Sequence, residues 1–395
     1  MRNTLPAMVY VQTHFVSLAG HVGVGVEGSN ATVQGDDKYH SNSGNNLSLP
    51  PMDPYGPATR YFDVFSRGTK DCAWKAAPWQ PWVKLSQYNG TVGPKGSDTR
   101  VQVSIDWSKA PKAPFYSTVN INVTNSCRGL DRNGYAEPMV QVPVQIRSVP
   151  SNFTKGFVES DGHIAITGAH YSAIVPPKQK SKLNDKVTYH TLNKYGRSGS
   201  GIGLVPLNTE KLTVETAPAL EYDLYFFTNH TKANVTVLIS PALNYLGEWT
   251  PLEYGISLYP AGSAAPSSPK MVRPVGPTVG TNLPEGWGYA VADSVWGTVG
   301  NYTTSTFSVP QEGAYKLRFQ ALMPGIVVQK IIVDMGGVRK SFFGPPESFM
   351  VGRDQVGKYN QTSFLADVDT LGGLYEKKKS HKRALLEAAT AAAAA

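Results

Sequence analysis

The sequence predicts a mainly β chain made of two consecutive β-sandwich domains, and three observations carry that prediction. Short runs that alternate apolar and polar residues recur along most of the chain, the mark of strands with one face in a core and one in water. Turn formers are abundant, with 38 Gly and 29 Pro among 395 residues, as many short strands require. Long amphipathic helices are scarce. At this length two or three domains can each bury a core, and a hydrophobic fraction of 41% against 17% charged residues excludes a disordered polypeptide.

Residues 1–55 read as the remnant of a preceding helical domain. One helix is expected from Ala7 to about Ala19, followed by a stretch rich in Gly, Asn and Ser that ends at Leu49-Pro50-Pro51. A helix with nothing to bury its apolar face against is marginal in isolation.

Residues 56–150 are predicted to form an immunoglobulin-like sandwich. Arg100 to Trp107 alternates, as does Val119 to Val123, and Val140 to Val144 follows after Pro- and Gly-bearing turns. Trp79 and Trp82, in Pro78-Trp79-Gln80-Pro81-Trp82, suit either sugar stacking or core filling, and core filling is the favoured reading.

Residues 151–350 are predicted to form a larger jelly-roll or galactose-binding-like sandwich. Its strands are Ile164 to Ile166, Leu220 to Phe226, Val235 to Ile239, Gly255 to Leu258, Thr306 to Val309, Tyr315 to Phe319 and Ile331 to Asp334. Residues 351–395 read as a tail, Ala-rich toward its end and without an apolar stripe to dock.

Charge and composition narrow the function. The net charge is +8, but the basic residues are scattered apart from Lys377-Lys378-Lys379 with His381, Lys382 and Arg383, so no nucleic-acid partner is expected. No apolar run reaches the roughly eighteen residues of a bilayer crossing, and Met1 to Pro6 does not resemble a signal peptide. Nine Asn-x-Ser/Thr sequons nevertheless stand at Asn30, Asn46, Asn89, Asn122, Asn152, Asn229, Asn234, Asn301 and Asn360, against about three expected by chance. An export-type body without an export signal suggests a truncated gene model whose full-length parent is extracellular. Cys72 and Cys127 suit one disulfide in an oxidising compartment, with two free thiols as the alternative; they give no support for a zinc site.

Neither acid–base nor nucleophilic catalysis is legible. Asp106, Glu159, Asp161, Glu221, Asp223, Glu253 and Asp334 lie in or beside expected strands, but nothing in their spacing brings two of them astride a glycosidic bond. Ser198 and Ser200 sit among glycines, yet Gly199-Ser200-Gly201 leads into the β-like Ile202 to Val205 and not into the helix that a nucleophile elbow needs. The glycines read instead as a tight turn with positive φ. No catalytic residue, metal or cofactor is expected.

A resemblance supplies the rest. Gly162 to Ser172, Tyr195 to Gly201, Ala217 to Asp223, Pro324 to Asp334, Gly336-Gly337 and Gly344-Pro345-Pro346-Glu347-Ser348 fall in an order that resembles the C-terminal domain of glycoside hydrolase family 115. Leu5-Pro6, Ser17 to Gly20, Pro50 to Pro57 and Ser104 to Trp107 are similar to its fungal members. The resemblance implies that the whole protein hydrolyses α-1,2-linked (4-O-methyl)glucuronic acid from xylan with a (β/α)8 barrel. That barrel supplies the carboxylates and is missing here, so the chain is expected to be a non-catalytic accessory region. Its implied partners are the missing barrel, glucuronoxylan and a second copy in a homodimer. Two departures stand out: Thr167, Gly168 and Ala169 replace a Glu-Ala-Glu-like run that binds calcium in related modules, and Tyr259 replaces an Asp. The rival expectation is a free-standing sugar-binding module using Arg197, Trp249 and Trp296.

Overall fold

The computed structural model describes residues 20, 22–29, 32–33, 47–127, 137–180, 184–197, 199–247, 249–276, 283–298 and 302–356. The expected helix from Ala7 to Ala19, the tail beyond residue 356, and Asn30, Asn46, Asn301 and Asn360 lie outside them. Internal contacts divide the chain between Ser148 and Val149 into two units.

The first unit contains β1 (Val22–Val26), β2 (Thr32–Val33), β3 (Leu47–Ser48), β4 (Thr59–Ser66), β5 (Cys72–Pro78), β6 (Val83–Leu85), β7 (Asn89–Val92), β8 (Thr99–Ile105), β9 (Phe115–Asn125) and β10 (Met139–Ile146). They form two sheets, ordered β2-β1-β4-β8-β6 and β3-β10-β9-β5-β7. The period of two sends alternate side chains inward, so Val22, Val24, Phe62, Val64, Val101 and Val103 of one sheet meet Trp74, Ala76, Ile121, Val123, Val140 and Val142 of the other in a single core. Each such fully buried aliphatic or aromatic side chain contributes about 1.5–3 kcal/mol.

Two expectations are corrected here. Residues 22–26 and 47–48 are not part of a helical remnant: β1 pairs antiparallel with β4 and β3 pairs parallel with β10, inside the first sandwich. In Val22-Gly23-Val24-Gly25-Val26 the outward partners of the buried valines are glycines, and a Cβ on Gly23 would lie 2.5 Å from the Phe65 ring. Close approach, not turn formation, explains that glycine. The two tryptophans also separate. Trp82 fills the core, with its ring edge-on to Phe115 at 6.4 Å, whereas Trp79 is 60% exposed.

The second unit contains β11 (Gly156–Val158), β12 (His163–Thr167), β13 (Ala173–Val175), β14 (Thr188–Leu192), β15 (Gly201–Val205), β16 (Ala219–Phe226), β17 (His230–Ile239), β18 (Tyr254–Pro260), β19 (Lys270–Val272), the short helix α1 (Trp287–Asp293), β20 (Thr304–Val309), β21 (Gly313–Ala321), β22 (Val327–Asp334) and β23 (Met350–Val351). One sheet runs β19-β18-β21-β16-β11-β23 with β13 also on β16; the other runs β14-β15-β22-β17-β20 with β12 also on β22. Leu220, Tyr222, Leu224, Leu317 and Phe319 of the first meet Ile164, Ile202, Val235, Val237, Ile331 and Val333 of the second in one core. The chain is thus mainly β, with two sandwiches in succession. The second continues past residue 350, because β23 closes the edge beside β11.

Candidate functional site

The two sheets of the second unit treat their outer faces differently. On the β14-β15-β22-β17-β20 sheet, Leu238 and Ile332 point outward and are buried under Val295 and Val338, which later segments lay across them. On the other sheet β16, β18 and β21 turn Glu221, Asp223, Ser257, Tyr259, Lys316 and Arg318 outward.

Register builds the polar row. Glu221 stands opposite Arg318, which stands opposite Ser257, and Asp223 stands opposite Lys316, which stands opposite Tyr259. Lys316 Nζ lies 3.0 Å from Glu221 Oε2 and 3.1 Å from Asp223 Oδ1, Arg318 Nε pairs with Glu221 Oε1 at 3.2 Å, and the Tyr259 hydroxyl donates to the same oxygen at 2.9 Å. Burial alone would raise the pKa of Glu221, but the Lys316 and Tyr259 hydrogen bonds and the two cations outweigh it and hold the carboxyl below its usual range. Burial and the neighbouring carboxylate push the Tyr259 hydroxyl up, so it stays a donor. Glu221 is held ionised, the opposite of what a glycosidic proton donor requires.

The row borders a hollow of about 460 Å³. Its floor and walls include Asp223, Tyr225, Ala314, Phe153 and Lys155. The Phe153 and Tyr225 rings lie 5.4 Å apart and tilted by 60°. Two half-buried rings with an ammonium and a carboxylate beside them can take a sugar ring on its apolar face and bond its hydroxyls.

A second cluster is structural. The Glu347 carboxyl accepts the Thr167 backbone N–H at 2.8 Å, lies 2.8 and 2.9 Å from His170 Nδ1, and receives Arg353 Nη1 at 2.6 Å. Burial would raise its pKa; the His170 and Arg353 interactions override this and bring it down to about 2. Among the described residues no group of three or more His, Cys, Asp or Glu is arranged to hold a metal ion, and none of their helices is long and apolar enough to cross a membrane.

The residues chosen from sequence are dispersed. Arg197 follows the β14 turn, with its guanidinium 3.6 Å over the Phe342 ring, Nη2 3.3 Å from Asp293 Oδ2, and its backbone N–H donating to Gln329 Oε1. Gly196 before it has φ +127° and lies against the Gln329 side chain, so the positive-φ turn expected among these glycines is present. Trp249 stands between β17 and β18 and is 97% exposed. Trp296 is 2% exposed, its indole N–H donating to the Pro274 carbonyl and its ring 6.1 Å from Trp287. The expectation of Trp296 as an exposed sugar-stacking ring is therefore corrected: it offers no face to a ligand.

The remaining carboxylates hold the local chain. Glu159 accepts the backbone N–H groups of Phe227 and Thr228, Asp334 those of Gly336 and Val338, and Glu253 pairs with Lys211 and Arg273. Asp106 accepts from Ser108 and pairs with Lys109. Sequence reasoning named Glu221 and Asp223 only among many carboxylates and missed Phe153, Lys155 and Tyr225. The one available signal was the outward parity of Tyr225 with Glu221 and Asp223 on one strand. Cys72 and Cys127 are joined, with Cα atoms 5.4 Å apart.

No curated protein matches. Among solved structures, the family GH115 4-O-methyl-alpha-glucuronidase BtGH115A, described as having specificity for decorated arabinogalactans, aligns with 49% of this chain at 13% identity and a TM-score of 0.28. The match takes in 19% of that enzyme's length. The C-terminal CBM6 of LamC, a laminarinase from Zobellia galactanivorans, aligns over 44% of this chain and 98% of its own, with 13% identity and a TM-score of 0.21. The carbohydrate-binding module CBM6cm-2 from Cellvibrio mixtus lichenase 5A, in complex with cellotriose, aligns over 43% and 95%, with 11% identity and a TM-score of 0.23. Residues 156–347 match the family model of the glycosyl hydrolase family 115 C-terminal domain.

Proposed function

We propose that this chain is the non-catalytic C-terminal accessory region of a fungal-type xylan α-1,2-glucuronidase, whose catalytic barrel removes (4-O-methyl)glucuronic acid from xylan. The observation that carries the reading is the family match at residues 156–347. The polar row supports it: Glu221 is held ionised by Lys316, Tyr259 and Arg318, which is not the state of a glycosidic proton donor. The partners under this reading are the barrel of the same enzyme, glucuronoxylan and a second copy. The parent is secreted, with Asn89, Asn152, Asn229 and Asn234 as exposed glycan acceptors. The test is incubation of the purified chain with glucuronoxylan. No uronic acid should be released, and release by an exhaustively purified sample overturns the reading.

A second reading, a free-standing carbohydrate-binding module, is favoured by the aromatic hollow beside Asp223 and by the full exposure of Trp249. Affinity electrophoresis in glucuronoxylan separates the two. Retardation abolished by Trp249→Ala or Tyr225→Ala supports the module, and unretarded migration supports the scaffold.

A further inference from the structure

The outer face of the first unit's β3-β10-β9-β5-β7 sheet lies outside the residues that the family model matches. Buried Val119, Ile121 and Val123 alternate along β9 with Thr118, Asn120, Asn122 and Thr124, and buried Val140, Val142 and Val144 alternate along β10 with Gln141, Pro143 and Gln145. Register gathers the outward set. Gln141 stands opposite Asn120, Gln145 opposite Tyr116, and the Trp79 backbone N–H continues the ladder to the Asn120 carbonyl at 2.9 Å.

Two large rings stand out of this amide-lined surface, Trp79 at 60% and Tyr116 at 64% exposure. Trp79 does not swing freely, because its indole N–H donates to Asn122 Oδ1 at 3.1 Å. Its ring also walls a shallow hollow of about 200 Å³ that includes Gln80, Pro111, Ser117 and Thr118. Asn120, level with Trp79, and Tyr116 are four positions apart on one strand, so the two backbone positions that carry the rings are offset by roughly 13 Å along the strand, at about 3.3 Å per residue. That is the span of a short oligosaccharide.

We propose that this face binds a neutral glycan strand, stacked on Trp79 and Tyr116 and hydrogen-bonded by Asn120, Asn122, Gln141 and Gln145. The chemistry selects the ligand class. Side-chain amides offer donors and acceptors together, as vicinal hydroxyls require, and a ring already held in place loses little freedom on binding. No Asp or Glu occupies an outward position of these five strands, so no carboxylate on them favours a cationic ligand. Lys75 is the one basic side chain at those outward strand positions, too few for a polyanion or nucleic acid. The proposal also assigns Asn122 to binding. Its sequon lies on an interior strand, half-buried and already bonded to Trp79, and a glycan there would cover the ring.

The test is affinity electrophoresis of the whole chain in arabinoxylan, glucomannan or hydroxyethylcellulose, with polygalacturonate as the anionic control. Expected is retardation by at least one neutral polymer, unchanged by about 0.5 M NaCl. Trp79→Ala and Tyr116→Ala should each weaken it about tenfold, Trp79→Phe should keep most of it, and Leu207→Ala, an exposed side chain of the second unit, should leave it intact. Unchanged circular dichroism of the variants excludes misfolding as the cause. Migration unaffected by every neutral polymer, or retardation that survives Trp79→Ala and Tyr116→Ala, overturns the proposal. So does peptide mapping that finds Asn122 fully glycosylated in chain secreted from a eukaryotic host. Failure of the accessory-region reading would appear in the uronic-acid assay and would leave these measurements untouched.

Discussion

Glu347 accepts the backbone N–H of Thr167 at 2.8 Å across a sequence separation of 180 residues, and so ties the closing segment of the second sandwich to the end of its strand β12. The same carboxyl holds His170 and Arg353, and its side chain is 7% exposed. Removing one partner from such a group leaves the others buried and uncompensated.

Stability of the second unit should therefore depend on pH through Glu347. Its pKa falls from an ordinary 4.5 to about 2 in the fold, so its contribution is complete above pH 4.5 and disappears as the pH drops through about 2. Glu347→Gln should cost about 3 kcal/mol near neutral pH, from roughly 1.4 kcal/mol per pKa unit. Urea unfolding at a series of pH values should show the gap between the two proteins narrowing below pH 4.5. A gap that stays constant down to pH 3 would contradict this.

The tryptophans near α1 and in the β17–β18 connection should behave oppositely. Trp296, with its indole N–H on the Pro274 carbonyl, should lose about 3–5 kcal/mol on replacement by Ala. Trp249, 97% exposed, should change stability by less than about 0.5 kcal/mol. Denaturant midpoints of the two variants decide the matter, and equal losses would refute the placement of both rings.

In the first unit the Cys72 to Cys127 bond closes a loop with a sequence separation of 55 residues. Loop-closure entropy for that length corresponds to about 4 kcal/mol, so the Cys72→Ala, Cys127→Ala double variant should unfold at clearly lower denaturant. Non-reducing peptide mapping should recover one linked peptide pair. Both thiols alkylated in the untreated protein would sink the prediction.

Two ion pairs of the same unit provide an internal contrast. Arg147 and Asp53, 3.0 Å apart with side chains 7% and 4% exposed, sit out of water, and Asp53→Ala should cost about 3 kcal/mol or more. Arg100 and Asp63 form a closer pair at 2.9 Å, but in solvent. Arg100→Ala should cost far less than Asp53→Ala in thermal unfolding, because water and salt screen the interaction even though the guanidinium bonds both Asp63 oxygens and lies over the Tyr61 ring. A large loss at Arg100 with none at Asp53 would reverse the assignment.

Strands whose inward and outward residues differ in polarity were legible in the sequence. Arg100 to Trp107, Val119 to Val123 and Leu220 to Phe226 lie on β8, β9 and β16, with ends shifted by only a few residues. Where one half of the alternation is glycine the signal fades, and β1 was absorbed into a stretch that reads as Gly-rich coil. The seven-residue helix α1 is too short for a helical period to stand out. Of the candidate site, Glu221 and Asp223 were visible as strand carboxylates. Their bonds to Lys316, Arg318 and Tyr259 were not, since those partners arrive from strands 38 to 97 residues away.

What the sequence determined by itself is local: which segments extend, which side of each is apolar, and where turns must fall, because a period of two and the steric habits of Gly and Pro act over a few residues. Only the tertiary structure decided which of two similar side chains reaches water. Trp79 and Trp82 share one Pro-rich segment, yet Trp82 packs under Phe115 while Trp79 stands out beside Asn122. Burial depends on what other strands bring to the same place, and that is a property of the packed sheets, not of the neighbouring residues.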